Sequence, residues 1–266
     1  MELAKKIISK FKNSPYRLGQ GIFYKLKILF FNFYLPLRKR IWGRENTRVK
    51  VKIEAFNQTS LIFLNSCSDF GVLKEIFIDK VYDFNLKETP EIIFDLGSNV
   101  GFSVIWFKLK YPTAKIYAFE PDPNTFNCLK KNVASFNGVF LFNIGISDRD
   151  GEEKLFVMPG GLGSSFIKRE KTKGFLSVKT KSLDSIIKEL SIKRIDLLKF
   201  DIEGAEYKVF KNFKNLRMVK NLIGEVHLDL IGESKEAFLK LFDIFSVELI
   251  KISPVRFILK ARNKNL

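Results

Sequence analysis

The sequence predicts an α/β fold with a mainly parallel seven-stranded sheet, helices on both faces and an antiparallel hairpin at one edge. From residue 91 onward, short apolar runs alternate with helical patterns, which is typical of βαβ units. The runs that predict parallel strands are Ile92–Leu96, Ile116–Phe119, Val139–Ile144, Ile195–Phe200 and Leu222–His227. Two further runs, Phe245–Ile252 and Arg256–Ala261, lie on either side of Pro254 and predict the edge hairpin.

Three regions follow from these patterns: a basic, aromatic-rich N-terminal extension (1–48), a β-hairpin with a helix (49–90) and the α/β domain (91–266). The hairpin is predicted because residues 49–64 alternate in polarity and break at Asn57–Ser60. Asp69 is expected to cap a helix that continues to about Lys80. The composition, 46% hydrophobic and 28% charged, is ordinary for a globular protein.

Positive charge is concentrated at the N-terminus. Of the formal net charge of +17, residues 1–50 carry +11, from 13 Lys and Arg against Glu2 and Glu45. Ile22–Leu37 is aromatic and apolar but far shorter than the roughly 20 apolar residues that cross a bilayer, and Arg38–Arg40 follows it directly. The segment suits an anionic membrane interface. Alternatively, it packs on the α/β domain and the charge reflects solubility and compositional bias.

The two cysteines, Cys67 and Cys128, show neither metal nor redox spacing, which indicates a reducing compartment. The first thirty residues do not have the pattern of a signal peptide. We therefore expect a cytoplasmic protein that attaches peripherally to the membrane through residues 1–50.

The turn after the first parallel strand is rich in glycine. Asp95–Phe102 reads D-L-G-S-N-V-G-F, which differs from the G-x-G-x-x-G spacing of dinucleotide sites. Glycine permits positive φ and close approach of a ligand to the backbone. Asp95 is expected to end the strand and face the pocket, where an acid opposes pyrophosphate but suits an α-ammonium group. S-adenosylmethionine carries such a group.

The second parallel strand ends in Glu120, beside the end of the first. A carboxylate at this position can accept hydrogen bonds from both ribose hydroxyls of a nucleoside. Alternatively, Asp122 or Asn124 simply begins the next helix and no ligand is involved. Together with the glycine turn, Glu120 predicts a binding site for S-adenosylmethionine.

With these residues placed, the chain resembles the FkbM family of methyltransferases over roughly residues 69–230. The matching motifs are D-L-G-S-N-V-G-F (Asp95–Phe102), F-E-P-D-P (Phe119–Pro123), I-S-D-R-D-G (Ile146–Gly151), K-F-D-I-E-G-A-E (Lys199–Glu206) and E-V-H (Glu225–His227). The resemblance implies a class I Rossmann-like methyltransferase fold and S-adenosylmethionine as cofactor. It also implies O-methylation of a hydroxyl on a sugar, glycolipid or lipid-linked glycan.

The resemblance also implies roles for individual residues. Those expected to hold the amino-acid part of the cofactor are Asp95, Gly97, Asn99 and Gly101. Glu120 would hold the ribose and Pro121 would pack near the adenine. Ser147 or Asp148, after the third strand, would meet the adenine edge.

Acids and the chain's only histidine lie at the ends of the fourth and fifth parallel strands. Asp201 is expected to orient the sulfonium, bind a metal or take the acceptor's proton. Glu203 and Glu206 either act at the same site or stabilise the first turn of a helix. Glu225 and His227 share one face of a strand that should be apolar, which indicates a site.

We expect His227, Asp201 and Glu225 to be catalytic. An ordinary pKa near 6.5 suits His227 as a general base, although a buried, hydrogen-bonded histidine is the alternative. A divalent metal held by Asp201 and Glu225 is a second mechanism that the sequence leaves open. The loop Met158–Ser165 is either a substrate lid or an ordinary surface loop.

Two other functions compete with O-methylation of a small-molecule or glycan acceptor. The basic charge favours a nucleic-acid methyltransferase. However, the chain has neither an N-P-P-Y-like motif nor a Pro-Cys nucleophile, and an acidic pocket mouth opposes a phosphate backbone. The second alternative is a non-catalytic membrane-associated binding protein. Such a protein would be expected to lose the cofactor residues that this chain keeps.

Overall fold

The structure is a computed structural model that describes residues 18–26, 28, 30, 49–64, 68–158 and 163–266. Several predicted features lie outside these residues: most of the N-terminal extension with Arg38–Arg40, Cys67, and 159–162 of the predicted lid. The predicted division into three regions stays a prediction.

The described part of the chain from residue 49 onward contains twelve strands and six α-helices. The strands are β1 (Val49–Ala55), β2 (Gln58–Leu64), β3 (Ile92–Leu96), β4 (Lys115–Phe119), β5 (Val139–Phe142), β6 (Gly145–Ile146), β7 (Gly151–Val157), β8 (Gly174–Lys181), β9 (Leu197–Phe200), β10 (Asn221–His227), β11 (Phe245–Ser253) and β12 (Arg256–Asn263). The helices are α1 (Ser68–Phe77), α2 (Phe102–Lys110), α3 (Pro123–Val133), α4 (Leu183–Glu189), α5 (Glu206–Asn212) and α6 (Lys235–Lys240), with a 3₁₀ turn at Leu216–Met218.

The main sheet has seven strands in the order β11-β12-β10-β9-β3-β4-β5. Strands β10, β9, β3, β4 and β5 pair in parallel, whereas β12 is antiparallel to both β10 and β11. This confirms the mainly parallel sheet and its antiparallel edge hairpin. Because β3 lies between β4 and β9, the strand order reverses there, and ligands bind in the crevice outside the carboxyl ends of strands at such a point.

Helices cover both faces of the sheet, as predicted. Consecutive residues of a strand point to opposite faces, so Ile93 packs in a hydrophobic core with α1, α2 and α3, whereas Phe94 packs in a second core with α4, α5 and α6. Ile53 and Ile62 of the β1–β2 hairpin belong to the first core. The hairpin therefore packs against the same side of the sheet as α1.

Details of the hairpin and of α1 differ from the prediction. The chain turns at Phe56 and Asn57, whose φ angles of 52° and 58° are those of a tight hairpin turn that matches strand twist. The predicted break at Asn57–Ser60 was therefore placed too late. Helix α1 ends at Phe77 rather than near Lys80, and Lys80 itself has a φ of 55°, which α-helix does not allow.

A small sheet with the order β6-β8-β7 was not predicted. Its two long strands, β7 and β8, are mostly exposed or half-buried, so their sequences lack the apolar runs that marked the main sheet. It places the segment around Ser165 beside the carboxyl ends of the main strands, because Phe156 of β7 pairs with Ser165.

Residues 21–26 are helical, and Gly19, which precedes them, pairs with Ile53 of β1. Leu18 and Ile28 are buried in the first hydrophobic core, and the Gln20 N–H donates to the Lys52 carbonyl at 2.8 Å. Within the described residues, no helix combines the length and the apolar character needed to cross a membrane.

Candidate functional site

Two adjoining cavities open at the carboxyl ends of β3 and β9. The Glu120 cavity, about 80 Å³, is also lined by Pro121, Thr125, Gly145, Ile146 and Phe166. The Glu225 cavity, about 340 Å³, is also lined by Glu75, Tyr82, Lys199, Arg169 and Arg256. Both cavities share Gly97, Asn99, Gly163, Asp201 and Glu203. The shared residues form a wall at the point where the strand order reverses.

The glycine turn is held against the strand ends by its backbone. The N–H groups of Gly97 and Ser98 both donate to the Phe119 carbonyl, at 3.0 and 2.9 Å. Gly97 has a φ of 73°, and a Cβ built there would lie 1.9 Å from the Asp201 carbonyl oxygen, so only glycine fits. Gly101, which precedes α2, has a φ of 93° and lines neither cavity. A Cβ at this position would contact Leu129 of α3, so glycine lets the two helices approach each other.

Glu120 lies at the end of β4 with its carboxylate in the first cavity. It accepts the backbone N–H of Asn99 on one oxygen and that of Asp122 on the other, both at 2.9 Å. Burial, which leaves 7% of Glu120 exposed, raises its pKa to about 7. Asp122 caps α3 by accepting the Asn124 N–H at 2.8 Å. The helix start therefore uses Asp122 and leaves Glu120 to the cavity.

Asp95 does not face the pocket, which corrects the expectation from sequence. Its side chain is fully buried and lines neither cavity. The Ser103 hydroxyl in the first turn of α2 donates to one oxygen at 2.6 Å, and Lys199 Nζ lies 3.0 Å from the other. Lys199 also donates to the Gly97 carbonyl at 2.8 Å, so this buried pair supports the glycine turn from beneath.

The two residues predicted to contact the adenine line neither cavity. Gly145 and Ile146 line the Glu120 cavity, whereas Ser147 and Asp148 do not. The Ser147 hydroxyl lies within hydrogen-bond distance of the carboxylates of Asp148 and Glu153. The residues that line the cavity thus lie one to three positions before the predicted ones, and β6, with only two residues, has no apolar run that marks its register in the sequence.

Asp201 and Glu225, which line the Glu225 cavity, lie close to His227, which is buried and does not line it. One ligand-type atom from each lies within 4.8 Å of the other two. His227 Nε2 is 3.6 Å from Glu225 Oε1 and 4.0 Å from Asp201 Oδ1. The expectation that these three residues share one site agrees with this geometry.

His227 is held from its other side by Glu206, the first residue of α5. Nδ1 lies 2.9 Å from Glu206 Oε1, and both side chains are almost completely buried. Burial lowers the pKa of His227, but the hydrogen bond and charge of Glu206, together with two further carboxylates, raise it to about 9. This corrects the expected pKa near 6.5. At neutral pH the ring is therefore cationic until another positive charge lowers its pKa.

The surrounding carboxylates crowd one another. Burial, with Asp201 adding to it, raises the pKa of Glu225 to about 7, and the same two causes raise the pKa of Glu203. The Tyr82 hydroxyl donates to Asp201 Oδ2 at 3.1 Å, which leaves Oδ1 directed at His227. Arg256 Nη1 lies 3.4 Å from Glu225 Oε1 and offsets part of the negative charge.

Several residues of this site were missed from sequence. Lys199 was detectable, because a lysine within a central parallel strand is unusual. Glu75, Tyr82 and Arg256 reach the cavity from α1, the loop after it and β12. These elements are distant along the chain, and nothing local to each residue indicates that they meet.

Comparison with known proteins gives a consistent set of relatives. A family profile described as a methyltransferase FkbM domain matches residues 95–249. Methyltransferase sdnD of Sordaria araneosa is 33% identical over 190 residues, covering 58% of this chain and 73% of that protein.

Two further relatives have names that specify more of their chemistry. The hexuronic acid methyltransferase AglP of Haloferax volcanii is 29% identical over 142 residues, covering 53% of this chain and 57% of that protein. The 2-O-methyltransferase NoeI of Sinorhizobium fredii is 30% identical over 147 residues, covering 49% of this chain and 60% of that protein.

Proposed function

Because the chain belongs to the FkbM family of S-adenosylmethionine-dependent methyltransferases, we propose that it methylates a hydroxyl group of a sugar, glycolipid or lipid-linked glycan. The observation that carries this proposal is the shared wall of the two cavities. On one side of Asp201 lies the Glu120 cavity, which suits a nucleoside, and on the other lies a cavity lined by carboxylates, next to the buried His227. Methyl donor and acceptor can meet at that wall.

The residues of the Glu120 cavity suit the cofactor. Glu120 would accept hydrogen bonds from the ribose hydroxyls, while Pro121 and Ile146 would pack near the adenine. Gly97 and Asn99 line both cavities, where the backbone can approach the amino-acid part of the cofactor. We propose that Asp95 and Gly101 act indirectly, since they shape the turn without lining a cavity. Ser147 and Asp148 keep no direct role in this arrangement.

When bound, S-adenosylmethionine supplies the methyl group. The acceptor oxygen bonds to the methyl carbon as the carbon–sulfur bond breaks, and the electron pair of the broken bond remains on sulfur. We propose that Asp201, Glu225 and His227 hold the acceptor hydroxyl in line with that bond and that a neighbouring carboxylate carries away its proton. Glu206 acts as a positioning residue, because its hydrogen bond to Nδ1 directs Nε2 towards the acceptor.

Two observations support the proposed class of acceptor, namely the names of two relatives and the charge of the Glu225 cavity. NoeI is named a 2-O-methyltransferase and AglP a hexuronic acid methyltransferase, and both names fit a cavity that can deprotonate a hydroxyl. The Glu225 cavity also carries four carboxylates, Glu75, Asp201, Glu203 and Glu225. Since only three basic side chains among the described residues, Arg169, Lys199 and Arg256, line it as well, the cavity lacks the excess of positive charge that binds a phosphate backbone, and the nucleic-acid alternative is disfavoured.

The proposed reaction is tested with the purified full chain and methyl-labelled S-adenosylmethionine. Glycolipid extract, oligosaccharides with and without uronic acids, and total RNA serve as separate acceptors. We expect label in an O-methyl ether of the glycolipid or oligosaccharide. Label found only in RNA, or only on nitrogen or carbon, would contradict the proposal.

Cofactor affinity is predicted to depend on pH through Glu120. Its ionised form accepts both ribose hydroxyls, so affinity is highest above the pKa of about 7 and decreases below it. Between pH 8 and pH 6, Kd should rise about ten-fold, as expected for one carboxylate with this pKa. Calorimetric titration measures the change. In Glu120→Gln, which cannot ionise, this rise should vanish; an equal rise in both proteins would assign it to another group.

We further propose that the N-terminal segment attaches the protein to an anionic membrane. Leu18 and Ile28 pack in the core, yet Ile22 is 72% and Leu26 55% exposed, one helical turn apart on the same face. Phe23 and Phe30 are also largely exposed. Together with the charge of +11 in residues 1–50, this apolar face suits a membrane interface. The side chains that pack in the core, Leu18 and Ile28, thus differ from the exposed ones that we propose contact the membrane.

Membrane attachment is tested by co-sedimentation with vesicles of phosphatidylglycerol and phosphatidylcholine in equal parts. Replacing Ile22 and Leu26 by serine should lower partitioning about ten-fold or more, because burying one such side chain contributes about 1.5–3 kcal/mol. Ile252→Ser, which removes an exposed isoleucine from β11, is the control and should not change it. Equal partitioning of the double variant and the unaltered chain would refute the proposal.

A further inference from the structure

We infer that Asp201, Glu225 and His227 form a binding site for a divalent cation, which would hold the acceptor hydroxyl during methyl transfer. The inference rests on the proposed function, since it names how this cluster engages the acceptor. Its evidence, however, is the arrangement of the side chains themselves and can be tested without an acceptor.

The spacing of the side chains fits a single ion. His227 Nε2 lies 3.6 Å from Glu225 Oε1 and 4.0 Å from Asp201 Oδ1. Two atoms bound to one cation at roughly 2.1 Å each lie up to about 4.2 Å apart. The largest separation in the group, within 4.8 Å, closes with a small rotation of Asp201, whose side chain is 29% exposed.

His227 provides a second, independent indication of a ligand. Its side chain is 1% exposed, and Glu206 fixes Nδ1 at 2.9 Å. Among the described residues, Nε2 has no hydrogen-bond partner, yet it points into the cluster. A carboxylate that holds one ring nitrogen while the other faces a group of acids is the arrangement found behind metal-binding histidines.

The remaining neighbours leave room for an ion. Tyr82 donates to Asp201 Oδ2 and leaves Oδ1 directed towards His227. Arg256 approaches Glu225 only to 3.4 Å and is one-third exposed, so it can move away. A mixed oxygen and nitrogen ligand set accepts several divalent ions. A bound cation lowers the pKa of a coordinated hydroxyl, whose proton would then pass to Glu203, 3.6 Å from Nε2.

The test is a titration of the chelator-treated full chain with Mn²⁺, followed by the loss of the free-ion electron paramagnetic resonance signal. Mg²⁺, Zn²⁺ and Ca²⁺ are then added as competitors. Glu225→Gln and Asp201→Asn each remove one oxygen ligand, and Glu206→Gln removes the charge that orients His227. Glu236→Gln alters an exposed acid of α6 and serves as the matched control.

We expect one Mn²⁺ per chain, with affinity weakened about ten-fold or more in the two ligand variants and about 10–100-fold in Glu206→Gln. The control should bind as the unaltered chain does. No Mn²⁺ binding, or equal binding in Glu225→Gln, would overturn the inference. So would undiminished methyl transfer in chelator, a result that leaves the proposed function intact. Conversely, Mn²⁺ binding with no transfer to any hydroxyl acceptor would refute the function and not the cation site.

Discussion

Replacing His227 by alanine is expected to lower the rate of methyl transfer by about 10²–10⁴-fold, because the acceptor hydroxyl and the carboxylate that takes its proton lose the ring that positions them. His227 lies in the cluster with Asp201 and Glu225 and apart from the Glu120 cavity. Affinity for S-adenosylmethionine should therefore change little. The rate is measured at saturating cofactor in a single turnover.

Two controls separate this effect from general damage. Asp229→Asn alters an exposed acid two residues after His227 and should leave the rate unchanged. Thermal unfolding of His227→Ala shows whether the unpaired Glu206 destabilises the chain. A folded His227→Ala protein with the full rate would contradict the catalytic role that we propose for this residue.

Replacing Lys199 by methionine is expected to lower the free energy of unfolding by about 3–5 kcal/mol. Lys199 is 2% exposed and its partner Asp95 is fully buried, so the substitution leaves a carboxylate without its counter-charge. The methionine keeps most of the apolar stem, which limits the loss of packing. Urea unfolding of both proteins measures the difference.

The companion variants make this result specific. Asp95→Asn combined with Lys199→Met should recover part of the lost stability, because no buried charge is then left unpaired. Lys74→Met removes a lysine whose pair with Asp79 is about 40% exposed, and it should cost no more than about 1 kcal/mol. Equal losses for Lys199→Met and Lys74→Met would contradict the importance of the buried pair.

The fold was predictable where burial leaves a strong pattern. Each parallel strand of the main sheet is covered on both faces, so runs such as Ile92–Leu96 and Leu222–His227 are apolar enough to identify. The strands β7 and β8 have one or both faces in solvent and contain several charged residues, so no such run marks them. The turn at Phe56–Asn57 was predicted too late because Phe56, unlike Asn57, is not a usual turn former.

The site was predictable in its residues but less so in their orientation. Glu120 and Asp201 follow β4 and β9, whereas Glu225 and His227 lie at the end of β10; the ends of these strands meet at one edge, where two adjoining cavities lie. The orientation of the Asp95 side chain was predicted wrongly because it depends on contacts with Ser103 and Lys199, which come from other elements. Likewise, the elevated pKa of His227 depends on Glu206, whose approach requires the packing of α5 against β10.

The central proposal is that Glu120 serves cofactor binding and the cluster with His227 serves methyl transfer. It is tested most directly by comparing Glu120→Ala with His227→Ala in two assays. We predict that Glu120→Ala weakens calorimetric binding of S-adenosylmethionine by about 1–3 kcal/mol, the cost of unmet polar partners, and keeps the rate at saturating cofactor. We predict the reverse for His227→Ala: near-normal binding and a rate lowered by at least about 10²-fold. Full-strength cofactor binding in Glu120→Ala, or an unchanged rate in His227→Ala, would contradict this division.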